Sequence, residues 1–257
     1  MKQFSAIALA VSLSIGAHSS LGADPLLTVN TESTPITRAS EENPGDGEAT
    51  RFVELLLKQA GIDYQLNYLP WRRAYHNGRK QANVLIYPLA RTQKREQDFI
   101  WIGALVPIRY YLFQLKDRSD IQLQTLSDAR PYQIGVVNYH AHHEMLLDKG
   151  FEQLQPVNNS AQNLKKLMLE RVDLFAMSDG GIFPLCQRTE IDCQKIKPAV
   201  EIDGVVNGLY MALSLDSDPA LVKKLRSAFE ALKEDGTHGR LFSTRLASLQ
   251  AFTEKWQ

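Results

Sequence analysis

Three of the six histidines in this 257-residue chain, His140, His142 and His143, fall within the stretch GVVNYHAHHEM. Imidazole binds metals readily, and its charge changes nearer neutral pH than that of any other side chain. A metal site needs nitrogens that converge on one point. His140 and His143, three residues apart, could converge from one helical turn, whereas His142 would join them only from an extended backbone. The plainer alternative is three histidines at the start of a helix. Arg95, in ARTQKREQD, is the next candidate, because a guanidinium fork meets a carboxylate with two parallel hydrogen bonds. Its plain alternative is a surface arginine paired with Glu96 or Asp98. Arg72 and Arg73 read as a solvated helix face. No paired carboxylates or nucleophile–base set stands at a recognisable spacing, and no glycine-rich phosphate loop is present. We therefore expect no catalytic residue, no cofactor and no resident metal.

The ends of the chain say where these residues work. Lys2, an apolar or small run over 6–17 and small residues at 19–23 have the layout of a signal peptide spanning 1–23, too short to cross a bilayer as a helix. The remainder, from Ala23 or Asp24 onward, then holds 28 basic and 29 acidic residues, a formal charge of −1. Such a balance argues against nucleic acid and against electrostatic membrane binding, and for a small-molecule partner. Cys186 and Cys193, separated by six residues in LCQRTEIDC, read as a disulfide closing a small loop in an exported chain; a zinc knuckle has tighter spacing.

Strand and helix patterns alternate along the whole length. LLTVN, IDYQLNYL, NVLIYPL, YQIGVV, FEQLQPV and DLFAM read as strands. EATRFVELLLKQAG reads as a helix with an apolar face through Phe52, Val53, Leu55 and Leu56, stopped by Gly61. WRRAYHNGRK, AHHEMLLDKG and SAQNLKKLMLERV are further helices, the last capped by Asn159 or Ser160. DPALVKKLRSAFEALKEDG is the clearest, with Asp218 to cap it and one stripe through Leu221, Leu225, Phe229 and Leu232. Two such β-α-β series imply two α/β lobes with parallel-dominated sheets.

Several stretches carry a family resemblance, in order over nearly the whole chain. ARTQKREQDFIWIGALVPIRYYLFQLKD is similar to the end of lobe one in the type II periplasmic solute-binding proteins. There a Thr-x-x-Arg precedes an acidic-aromatic pair and a crossover strand. NGLYMALSLDSDPALVKKLRSAFEALKEDGTHGRLF resembles the return crossover and C-terminal helix of that family. PYQIGVV and LMLERVDLFAMSD resemble its second lobe. By motif the chain is most similar to the amino-acid-binding branch (family 3, polar amino-acid ABC transporter substrate-binding proteins), and LPWRRA resembles a Pro-Trp-x-Arg-Ala subgroup. The resemblance implies a two-lobed α/β fold, with lobe one from 24–114 plus 206–257 and lobe two from 115–205. A two-strand hinge would lie near 111–114 and 207–212.

The resemblance also implies a ligand site. Arg95 takes the place of the arginine that grips the ligand carboxylate, and Trp71 that of an aromatic covering the ligand. Tyr87 would lie at the cleft end of its strand. Where the family has an aromatic in its first loop, this chain has Glu32 and Thr34. The aspartate that takes a ligand ammonium aligns on Ser178, with Asp179 next. The turn facing the cleft from lobe two, at a helix start where backbone N–H groups favour an anion, is occupied by Tyr139 and His140. The implied function is a periplasmic, monomeric solute-binding protein closing on a small carboxylate-bearing solute, an amino acid or relative, for a membrane permease or sensor. The alternatives are a dehydratase-like periplasmic enzyme on the same scaffold, with His140 as acid or base, and a metal-binding or sensor protein using His140 and His143.

Overall fold

The computed structural model describes residues 26–38, 47–204 and 208–256. The expected signal peptide at 1–23 lies outside them, as do residue 207 of the expected hinge and residues 24 and 206 of the expected lobe boundaries. Among the described residues, ten strands form two five-stranded sheets.

The first sheet begins with β1 (Leu27–Thr31), helix α1 (Glu48–Ala60), β2 (Tyr64–Tyr68), helix α2 (Trp71–Lys80) and β3 (Val84–Ala90). Strand β1 runs parallel to both β2 and β3. Every residue of β3 is buried, as expected of a central strand covered on both faces. Gly61, in the left-handed region at φ 64°, ends α1 with its N–H on the carbonyls of Leu57 and Lys58. The buried face of α1 runs through Phe52, Val53, Leu56 and Leu57, three of them as expected; Leu55 is 40 % exposed and Leu57 takes its place. Strand β4 (Phe99–Val106) completes the edge.

The chain then crosses to a second sheet built to the same plan. It contains β5 (Tyr110–Leu115), β6 (Ile134–Val137), helix α3 (Ala141–Asp148), β7 (Leu154–Val157), helix α4 (Ser160–Met168), β8 (Leu174–Ser178), helix α5 (Asp179–Arg188) and β9 (Ile196–Ile202). Asn159 caps α4 by accepting from the Gln162 N–H at 3.0 Å. Strand β10 (Leu209–Ser214) returns to the first sheet, followed by α6 (Pro219–Glu234) and α7 (Thr237–Trp256). Asp218 caps α6 through Ala220 N at 2.7 Å, and Leu221, Leu225, Phe229 and Leu232 are all buried.

The strand orders are β2-β1-β3-β10-β4 and β7-β6-β8-β5-β9. In each, three parallel strands are joined by one strand from the far side of a crossing, β10 or β5, antiparallel to both its neighbours. The sheets are therefore mixed. Residues 111–114 lie within β5 of the second sheet, and residues 209–212 within β10 of the first. Each sheet carries apolar clusters on both faces: Phe52, Tyr87 and Phe229 against Trp71, Ile86 and Trp101 in the first, Leu112 and Ile134 against Phe113 and Phe175 in the second. Cys186 on α5 is joined to Cys193 by a disulfide, with Cα atoms 5.7 Å apart. Among the described residues, no helix is long and apolar enough to cross a membrane.

Candidate functional site

A cavity of about 90 Å3 lies where the two sheets face each other. Glu32, Trp71 and Arg95 line it from the first sheet, and His140, Ser178 and Asp179 from the second. These are six of the eight residues singled out from the sequence. The other two stand apart. Tyr87 is wholly buried in the first core with its hydroxyl 2.9 Å from Thr50 Oγ1, and burial pushes its pKa far up. Tyr139 turns its ring outward under the Arg72 guanidinium, and only its backbone carbonyl faces the junction.

Arg95 closes a single 3-10 turn, Gln93–Arg95, whose first N–H bond runs from Arg95 N to Thr92 O at 3.0 Å. The neighbouring acids are taken by other arginines: Glu96 by Arg91, which stacks on Trp101 and Tyr210, and Asp98 by Arg79. Arg95 itself is 1 % exposed and lies 4.8 Å over the Tyr75 ring. Its Nε donates to Glu144 Oε2 at 3.0 Å, its Nη2 to Tyr139 O at 2.7 Å and its Nη1 to Ala90 O at 3.3 Å. A fully buried guanidinium with this many partners has its desolvation offset by the protein itself.

Trp71 opens α2, donates from Nε1 to Tyr139 O at 2.9 Å, and sets its ring edge-on to His140 at 5.6 Å. The Tyr139 carbonyl thus receives both Trp71 and Arg95 across the junction. It is aimed there by a positive φ of 62°, a conformation that costs a bulky residue about 1–3 kcal/mol and concentrates at functional positions.

On the second side, His140 is the residue before α3, with Nε2 3.0 Å from Glu32 Oε1. His142 is buried in the first turn, 5.2 Å from the rings of both His140 and Tyr110, and neither of its ring nitrogens has a hydrogen-bond partner. Burial, reinforced by His140, His143 and Arg95, holds its pKa well below the usual imidazole value. His143 turns away and accepts from Tyr139 N at 3.3 Å. The three rings therefore do not converge, and among the described residues no group of three His, Cys, Asp or Glu is placed to hold a metal ion.

Asp179 is 3 % exposed at the start of α5 and raised in pKa by burial, against the N–H groups of Gly180 and Arg109 that pull it down. The Arg109 side chain reaches it only at 3.6 Å. Gly181 keeps this wall close-fitting: a Cβ there would overlap Met177 and Ser178. Glu144 was not singled out from the sequence, and His142 was weighed there only as a metal ligand, not as part of the cavity wall. His142 was visible there only as one member of a cluster, and Glu144 only as an acid in a first helical turn, where acids are common.

No protein-family model matches the chain, and no curated protein matches it. Solved structures do. A histidine kinase sensor domain with similarity to periplasmic binding proteins superposes with a TM-score of 0.76 at 12 % identity, over 86 % of this chain and 96 % of that one. The arginine-, lysine-, histidine-binding protein ArtJ from Geobacillus stearothermophilus gives 0.74 at 14 % identity, over 86 % and 95 %. An arginine transport-system periplasmic binding protein from Legionella pneumophila gives 0.71 at 17 % identity, over 86 % and 99 %. The chain thus has the two-lobed fold of the periplasmic binding proteins over nearly their full length.

Proposed function

We propose that this chain is an exported solute-binding protein that closes on a small, carboxylate-bearing, amino-acid-like solute and presents it to a membrane permease or a sensor. The observation that carries this reading is the buried cavity between the two sheets, with carboxylates, two guanidiniums (Arg95 and Arg245) and two imidazoles facing it. A cavity at a lobe interface with a few converging polar groups is the usual form of a small-molecule site. Glu32 and Asp179 suit the solute's ammonium, Trp71 packs on its body, and Arg95 suits its carboxylate once Glu144 gives way. Lobe one then comprises 24–114 plus 206–257 and lobe two 115–205, with closure about the two crossings. The Pro-Trp-x-Arg-Ala subgroup, the signal peptide at 1–23 and a monomeric state belong to the same reading.

A thermal-shift screen of the protein without residues 1–23 against amino acids and other small carboxylates tests it. A solute at about a hundred times its dissociation constant stabilises by roughly 2.7 kcal/mol, a shift of about 5–11 °C for a chain of this size. That shift is expected to disappear in Arg95→Lys, which keeps the charge and loses the fork. The absence of any shift from amino acids and other small carboxylates would sink the proposal.

A further inference from the structure

We propose that Glu144 is a built-in competitor for the ligand carboxylate: from the second lobe it occupies Arg95, latches the lobes together, and sets how strongly an incoming carboxylate must bind. The second half of this role rests on the solute-binding reading above; the latch does not.

The geometry is that of a filled anion site. Glu144 Oε2 accepts from Arg95 Nε at 3.0 Å and forms an ion pair with Nη2 at 2.9 Å. With Tyr139 O on Nη2 and Ala90 O on Nη1, three of the five guanidinium donors are engaged. A solute carboxylate arriving at Arg95 has one N–H left on each terminal nitrogen and meets the Glu144 charge beside them, unless Glu144 leaves.

The pair also joins the two halves of the molecule. Arg95 follows β3 of the first sheet, and Glu144 stands on α3 of the second. One residue earlier Lys94 meets Asp148, four residues further along α3, at 2.9 and 3.1 Å. One face of α3 therefore docks on one turn through two ion pairs of different kinds. Lys94 and Asp148 are each 57 % exposed, and such a pair contributes little. Arg95 and Glu144 are 1 % and 16 % exposed, so separating them without replacement leaves a buried charge uncompensated. Opening the cleft rehydrates both partners; closing it re-forms the pair. Glu144 thus favours the closed arrangement without a solute, and a solute carboxylate gains only its advantage over Glu144.

The test compares the protein without residues 1–23, dialysed free of solutes, with Glu144→Gln, Glu144→Asp and, as a control at the exposed pair, Asp148→Asn. Small-angle scattering reads compactness, and circular dichroism checks that each variant is folded. Glu144→Gln is expected to be more expanded than the parent, Glu144→Asp intermediate, and Asp148→Asn unchanged. Equal compactness of parent and Glu144→Gln would overturn the latch. Titration with the common L-amino acids is the second arm: whichever binds should bind Glu144→Gln about tenfold more tightly, a coupling of ordinary size. Equal or weaker binding overturns the competitor role. If neither an amino acid nor another small carboxylate binds either protein, the solute reading fails and the competitor role with it, while scattering still decides the latch.

Discussion

An imidazole buried with both nitrogens unpartnered is a polar group placed at a cost, since neither its donor nor its acceptor is compensated by the protein. His142 is that group here, and the solute-binding reading gives it a use: one donor and one acceptor, uncharged, offered to the cavity. It also leaves a mark on stability. The unfolded chain takes up a proton at this histidine near pH 6.5, whereas the folded state, with its pKa held well below that, refuses it. Below pH 6.5 the unfolded state therefore binds more protons, and stability falls as pH falls. The slope reaches at most about 1.4 kcal/mol per pH unit for one proton. His143, shifted in the same direction, adds to it, while Asp179, raised by burial, opposes it at more acid pH. Melting temperatures of the parent and of His142→Phe between pH 7 and pH 5 provide the check. The parent is expected to lose several degrees more than the variant; parallel curves would remove His142 from the account. At this scale the sequence was informative where a residue type has one strong use. Arg95, Trp71, Glu32, His140, Ser178 and Asp179 do line the cavity. Glu144 could not be recognised, because its pairing with Arg95 spans 49 positions and carries no local pattern.

Elements were legible in proportion to the strength of their local signals. The α6 stripe and its Asp218 cap, the Asn159 cap of α4 and the Gly61 stop of α1 each agree with tertiary packing, so propensity and fold point the same way. Helix α5 shows the opposite case. It contains Gly180, Gly181 and Pro184, which read as a break, and it is helical because Ile182, Leu185 and Cys186 pack into the second core. Its far end is tied down by the Cys186–Cys193 bridge, a loop of eight residues counting both cysteines. Chain-entropy arithmetic for such a loop gives about 2.5 kcal/mol. Replacing both cysteines by alanine should lower stability by about that amount in denaturant melts, and a reducing agent should affect only the parent. A loss well under 1 kcal/mol would mean that packing alone holds α5. Because α5 carries Asp179 and follows Ser178, the same variant should also weaken binding at the cavity.

At the scale of the whole molecule, α7 packs against the cores of both sheets. Phe242, near its start, is fully buried in the first core against Phe52, with ring centres 5.8 Å apart. Phe252, ten residues on, is buried in the second core, 5.3 Å from Tyr111 and 6.3 Å from Phe113. Between them Arg245 bridges Glu48 of α1 and the Gly180 carbonyl of α5, the latter at 2.6 Å. The alternating strand–helix pattern revealed two lobes, but nothing in the C-terminal segment distinguished a helix on one lobe from a helix across both. Such a helix restrains the motion that a cleft needs. Rotation about the two crossings must either bend around α7 or pull Phe252 from its pocket. We expect Phe252→Ala to release this restraint at a cost of about 3–5 kcal/mol in stability, the usual penalty for truncating a buried phenylalanine. Below its melting temperature the variant should show a larger radius of gyration by small-angle scattering and faster hydrogen exchange along the end of α7. An unchanged radius with the same loss of stability would show that Phe252 packs the second core without restraining the lobes.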